Sequence, residues 1–172
     1  MAVSLTASKT DDVRFAEIEE MASALLRFPG ERLAQFTCSF GSASASELEV
    51  VGTKGSLRIS RAFDYKGELR WLQNIGGKSK EKRFAPRDQF APELLYFSDC
   101  ILKDKAAEPD GFAGWADVRV VNAIYKAAKT RRAVRIEPVH PQQCPSPQQQ
   151  KIKRRPVKEP RLTKVQVPEQ EE

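Results

Sequence analysis

Between Met21 and Ser60 the apolar positions recur at every second residue, in runs separated by turn-forming residues, and this alternation predicts four successive β-strands. In the first two, Ala22, Ala24, Leu26 and Phe28 precede Pro29-Gly30, and Ala34, Phe36, Cys38 and Phe40 follow it. A two-residue loop would set Leu26 opposite Leu33. A three-residue loop, Pro29 to Glu31, sets Leu26 opposite Ala34 and Ala24 opposite Phe36, and it keeps all of these apolar side chains on one face; that register is expected. After a small-residue loop, Gly41 to Ala45, the runs Glu47 to Val51 and Ser56 to Ser60 flank Gly52-Thr53-Lys54-Gly55, with Leu48, Val50, Leu57 and Ile59 extending the apolar face.

The flanking segments read as additions to this sheet. Ala2 to Ser8 alternates Val3, Leu5 and Ala7 with polar residues and predicts a strand; Lys9 to Glu17 is a charged loop. Ile18 to Phe28 could in part be helical, since Glu17 to Leu26 fits that period, but its clear hairpin partner favours a strand. Glu68 to Gln73, with Leu69 and Trp71, and Lys80 to Ala85 predict two more strands around Gly76-Gly77, and their charge marks an edge. At Gln89 the period changes. Phe90, Leu94, Phe97 and Ile101 are spaced for a helix over Phe90 to Lys103, with Pro92 in its first turn. Trp115 to Thr130 predicts a second helix, with Val118, Val121, Tyr125 and Ala128 on one stripe and Val120, Ile124 and Ala127 widening it, mostly buried against the sheet. Ala133 to Ile136 is expected to return as a short strand. The pattern therefore predicts an α+β fold: an open-faced, mostly antiparallel β-sheet with helices packed on one face.

Composition changes the picture mainly at the C-terminus. Of the 11 prolines, seven lie from Pro138 onward, among QQCPSPQQQ and KIKRRPVKEPR, so one domain is expected over residues 1–137 and a disordered tail over 138–172. The net charge is +6. Half of it sits in that tail, which leaves the folded part without a footprint for a polyanion, and nucleic acid is not an expected partner. No apolar run reaches the ~20 residues needed to cross a bilayer, and the N-terminus lacks a basic region followed by an apolar block, so a cytoplasmic protein without membrane attachment is expected. Three cysteines at wide spacing fit no zinc pattern and read as two buried thiols and one in the tail.

Reaction chemistry is sparse. No G-x-G-x-x-G follows a strand. Gly76-Gly77-Lys78-Ser79 echoes the end of a phosphate-binding loop, but Leu72 stands where its first glycine belongs. His140, the single histidine, lies in the tail, leaving no Ser-His or Cys-His nucleophile and no histidine-based metal site in the fold. No catalytic, cofactor-binding or metal-binding residue is therefore assigned.

Four segments together carry a resemblance: EIEEMASALLRFPGERLAQFTCSF, LEVVGTKGSLRIS, RDQFAPELLYFSDCILKD and EPDGFAGWADVRVVNAIYKAAKTRRAVRI. In this order and spacing the chain resembles the C-terminal domain of the Gfo/Idh/MocA oxidoreductases, glucose-fructose-oxidoreductase-like members in particular, over residues 2 to 136. The resemblance implies an open-faced sheet with helices on one side and a parent enzyme that transfers hydride between NAD(P) and a sugar or polyol. It also implies that the family's Rossmann domain, its glycine fingerprint and its Glu-Lys-Pro lysine are not in this sequence; Lys158-Glu159-Pro160 has those residues in another order. The expected role is a substrate-side and oligomerisation domain, inactive alone and binding no cofactor by itself, with a separate Rossmann-domain chain as a possible partner. A non-enzymatic interaction module using the exposed sheet face is a second reading, and a weak, steeply salt-dependent nucleic-acid binder acting through the Lys151 to Lys164 tail is a third. Arg87, Asp88 and Gln89, where the sheet gives way to the first helix, are the candidates for substrate contact, against a plain helix cap. Homo-oligomerisation is expected through the sheet face away from the helices, with Leu33, Gln35, Thr37, Ser39, Glu49 and Arg58 as candidate interface residues and Arg27 or Arg58 meeting a partner's Glu49.

Overall fold

The computed structural model describes residues 1–8, 11–65 and 67–138; from residue 139 on, the tail lies outside the described residues. In chain order the elements are β1 (Ala2–Ala7), β2 (Met21–Phe28), β3 (Arg32–Ser39), β4 (Glu47–Gly52), β5 (Gly55–Ser60), β6 (Leu69–Ile75), β7 (Lys78–Phe84), α1 (Phe90–Leu102) and α2 (Gly111–Thr130). They fall into two compact units, residues 1–44 with 106–138 and Ala45–Lys105.

The first unit is a three-stranded antiparallel sheet in the order β1-β2-β3 with α2 on β1. Its hairpin has the expected register: Leu26 faces Ala34 and Ala24 faces Phe36. The Pro29–Glu31 loop closes with Gly30 and Glu31 both in the left-handed region, at φ 72° and 57°. Because Ala2 pairs with Leu26 and Ser4 with Ala24, the even-numbered side of β1 lies beneath α2. Ala2, Ser4, Ala24, Ala123 and Ala127 are buried there. Small side chains let helix and sheet approach closely, and the Ser4 hydroxyl donates to the Ile124 carbonyl at 2.5 Å.

The structure of this unit corrects five expectations. On α2 Ala127 is buried, as expected, together with Ala123, whereas Val118, Val121 and Tyr125 are exposed, because the hydroxyl and small residues of β1 draw the helix in on its alanine side. Since α2 lies over β1, the far strand β3 is left uncovered, so Cys38 is exposed while Cys100 alone of the two is buried. The helix also starts earlier, at Gly111, where the Asp110 carboxylate accepts from the Ala113 amide. The expected final strand reduces to a single antiparallel bridge, with Ala2 and Val134 exchanging backbone hydrogen bonds of 2.8 and 2.9 Å. Within the loop read as merely charged, Phe15 is buried on a 3-10 turn, stacked on Phe40 with ring centroids 6.3 Å apart.

The second unit is a four-stranded antiparallel sheet in the order β4-β5-β6-β7. The sequence pattern joins all strands in one sheet; the hydrogen-bonded strands form two, and the glycine- and serine-rich stretch after Ser39 interrupts the alternation that a continuous ladder would need. Leu48, Val50, Leu57 and Ile59 share a face, as expected, and the register adds Leu69 and Trp71 to it. Gly76 and Gly77, at φ 55° and 75°, close the β6–β7 hairpin. In α1 the stripe Leu94, Phe97 and Ile101 is exposed and Cys100 is buried.

Candidate functional site

The start of α1 carries the residues singled out for substrate contact. The Asp88 carboxylate accepts from the amides of Phe90 and Ala91 at 2.9 and 3.1 Å, so it fills the cap of the helix and satisfies two donors that the first turn leaves over. Gln89 donates from Nε2 to the Asp64 carbonyl at 3.4 Å, and Arg87 is exposed. Of the three, Gln89 alone is joined to a polar hub that the sequence did not announce, while Asp88 is spent on the helix cap. Arg61, itself at φ 61°, donates to the Asp64 carboxylate at 2.8 Å, Phe63 donates its amide to the Ser46 hydroxyl at 2.9 Å, and Tyr65 packs on Phe90 with centroids 5.4 Å apart. Arg61, then the Ser46 hydroxyl, hold the Asp64 carboxyl below its ordinary range.

In the first unit a second polar contact was not legible. The Tyr125 hydroxyl bonds the Glu19 carboxylate, and this bond, with the charge of Glu19, pushes the phenol above its ordinary value. It ties α2 to the segment entering β2.

The outer face of the first unit gathers Leu33, Gln35, Thr37 and Ser39 of β3 with Ser23 and Leu25 of β2, and the register places Val3 and Leu5 of β1 beside them. Leu5 is 70% and Leu33 66% exposed, so this face presents large apolar side chains to solvent. Glu49 and Arg58, expected on the same face, pair opposite one another in the other unit's sheet. Arg58 is engaged by Glu47 and Arg27 by Glu31, so both arginines already have partners within the chain.

The second unit's sheet has two dissimilar faces. On one, Glu47, Arg58, Glu68, Arg70, Glu81 and Arg83 pair among themselves, for example Arg83 with Glu81 at 2.9 Å. On the other lie the apolar stripe, Trp71 and a row of lysines. Among the described residues no group of His, Cys, Asp and Glu could hold a metal ion, and no helix is long and apolar enough to cross a membrane.

Open antiparallel sheets with two amphipathic helices define the class, an α+β domain without a nucleotide-binding βαβ unit among its described residues. The chain belongs to the Gfo/Idh/MocA oxidoreductases: the family model "Oxidoreductase family, C-terminal alpha/beta domain" matches residues 2–136. It is 34% identical over 125 residues to D-xylose 1-dehydrogenase [NADP(+)] of Haloarcula marismortui, a match covering 72% of this chain and 34% of that protein. Among solved structures it is similar to aldose-aldose oxidoreductase from Caulobacter crescentus complexed with glycerol, at TM-score 0.70 and 29% identity over 78% of this chain and 40% of that one. A levoglucosan dehydrogenase in complex with NADH and L-sorbose shares the fold at TM-score 0.61 and 12% identity, covering 79% of this chain and 44% of the other. The chain therefore spans about a third to under a half of the length of these relatives.

Proposed function

We propose that this chain is the substrate-side and oligomerisation domain of an NAD(P)-dependent sugar or polyol oxidoreductase. The observation that carries the reading is the family match over residues 2–136, joined to relatives described as acting on D-xylose and on aldoses. Hydride transfer requires a nicotinamide held against a carbinol carbon, and this domain contributes the wall that orients the sugar. Arg87 is the residue of the α1 start with a donor fork free to meet sugar oxygens, since Asp88 is committed to the cap. The test joins residues 2–136 to the cofactor domain of the Haloarcula relative and follows aldose-dependent NADP+ reduction. Turnover with an aldose or polyol supports the reading. A folded, NADP+-binding chimera that oxidises none of a broad panel overturns it.

Oligomerisation is assigned to the outer face of the first unit, where Thr37 stands opposite Ser23 on the same face as Val3, Leu5, Leu25 and Leu33. A flat face of apolar and small residues suits sheet-on-sheet contact about a two-fold axis, held by apolar burial because Arg27 and Arg58 are paired internally. Light scattering should show a dimer at tens of micromolar and a monomer for Thr37→Lys; a monomeric parent chain, or a dimer indifferent to the lysine, refutes the assignment.

A further inference from the structure

Strand β7 ends its sheet, so one side of its backbone is hydrogen-bonded to β6 and the other faces outward with no strand beside it among the described residues. Lys78, Lys80 and Lys82 alternate along it, Cα atoms about 6.7 Å apart, and the register puts all of them on the face of Ile75, Gln73 and Trp71. That face carries no carboxylate on β4, β5 or β6: the residues in register there are Leu48, Val50, Gly52, Gly55, Leu57, Ile59, Leu69, Trp71, Gln73 and Ile75. Every residue of β7 is exposed, and Lys82 Nζ lies over the Phe84 ring at 4.6 Å from its centroid. The opposite face is different in kind, because its arginines and glutamates neutralise one another.

We propose that the outer edge of β7 is a docking strand for an extended acidic segment of a partner protein, with carboxylates at every second residue. Two independent features specify that occupant. The free backbone edge accepts an added strand, whose amides and carbonyls complete the ladder. The lysine row then selects among strands, because residues i, i+2 and i+4 of an added strand stand on one face, directly beside Lys78, Lys80 and Lys82, where opposite charges attract and like charges repel. A second copy of β7 would bring lysine against lysine, so the same row that admits an acidic strand rejects self-pairing. A polyphosphate chain would match the charge and leave the backbone donors and acceptors of the edge unused, which favours the peptide.

The test uses the full chain and a fluorescein-labelled peptide, Thr-Glu-Thr-Glu-Thr-Glu-Thr, in anisotropy titrations at low ionic strength. The expected result is saturable binding at least about tenfold tighter than that of the same residues ordered Thr-Thr-Glu-Glu-Glu-Thr-Thr, since clustering the charges moves one of them to the wrong face. Lys80→Glu, an exposed change checked for unaltered circular dichroism, should weaken binding by about tenfold or more, and N-methylation of alternate peptide amides should abolish it. Absence of saturable binding, equal binding of the two peptides, indifference to N-methylation, or binding of oligothymidylate in place of the peptide would each overturn the proposal.

Discussion

Gly52 and Gly55 face each other across the Thr53-Lys54 turn of the β4–β5 hairpin, and replacing each with alanine should have very different consequences. Gly55 has φ +152°, a conformation that side-chain-bearing residues rarely adopt, and a Cβ there would run into the carbonyl of Asn74 on β6. Gly52 lies outside the left-handed region, and its Cβ would meet nothing nearer than the Gly55 carbonyl oxygen at 3.9 Å, ordinary contact. Backbone strain of about 1–3 kcal/mol and overpacking of about 1–3 kcal/mol combine in Gly55→Ala to roughly 2–6 kcal/mol. The clash falls on the backbone of the central strand β6, so relaxing it would disturb pairing on both sides. For a unit of this size each kcal/mol moves the melting midpoint by about 4–8 °C, so Gly55→Ala should lower Tm by about 8 °C or more. Gly52→Ala should stay within about 1 kcal/mol of the parent. Thermal unfolding followed by circular dichroism reads both. A Gly55→Ala chain melting within 2 °C of the parent, or equal losses for the two variants, would refute the β5–β6 geometry described here.

Other consequences follow from single contacts. Ala127→Leu places a larger side chain where 1% of the residue is exposed and should cost about 1–3 kcal/mol, whereas Val121→Ala, at a half-exposed position, should cost less; the reverse order in urea denaturation would show that the other stripe of α2 is the buried one. The Asp64 carboxyl, held low by Arg61 and Ser46, stabilises the second unit fully above its unfolded-state value near 4 and loses that contribution as pH falls through its depressed folded value. Asp64→Asn should therefore lower stability near neutrality and flatten the acid limb of a Tm-versus-pH profile; an unchanged limb would dismiss the contact. This chain by itself should bind neither NAD nor NADP, since no glycine-rich turn leads from a strand into a helix N-terminus among the described residues. A micromolar Kd by calorimetry would contradict that.

What the sequence revealed depended on where one physical rule acted alone. The Leu26–Ala34 register followed from alternation and one turn, because a one-residue slip would have turned every apolar side chain over. The hairpin at Gly76-Gly77 was legible because positive φ at both turn positions favours glycine. The buried face of α2 was not. The helix has apolar residues on two sides, and the choice between them was made by Ala2, Ser4 and Ala24, small residues that a count of large hydrophobic side chains passes over. Phe15 and the Tyr125–Glu19 bond join segments distant in sequence and left no periodic trace. At the candidate site, Asp88 was legible as a cap because an acidic residue stands just before a helical period, while Arg61 and Asp64 came from a loop whose backbone bend had no strong sequence signal. The alternating lysines of β7 were visible as an edge; their isolation from every carboxylate on their face needed the register of β4, β5 and β6.

The central claim, that this domain orients a sugar for a cofactor held elsewhere, is tested most directly by steady-state kinetics of the chimera that joins residues 2–136 to the cofactor domain of the Haloarcula D-xylose dehydrogenase. If the claim holds, the KM for NADP+ stays near that of the relative, the order of preference among aldoses and polyols changes to one of this domain's own, and Arg87→Ala raises the KM for the sugar while leaving that for NADP+ unchanged. A chimera that binds NADP+ and keeps the relative's sugar preference, or whose sugar KM is indifferent to Arg87→Ala and to every other substitution at the start of α1, would contradict it.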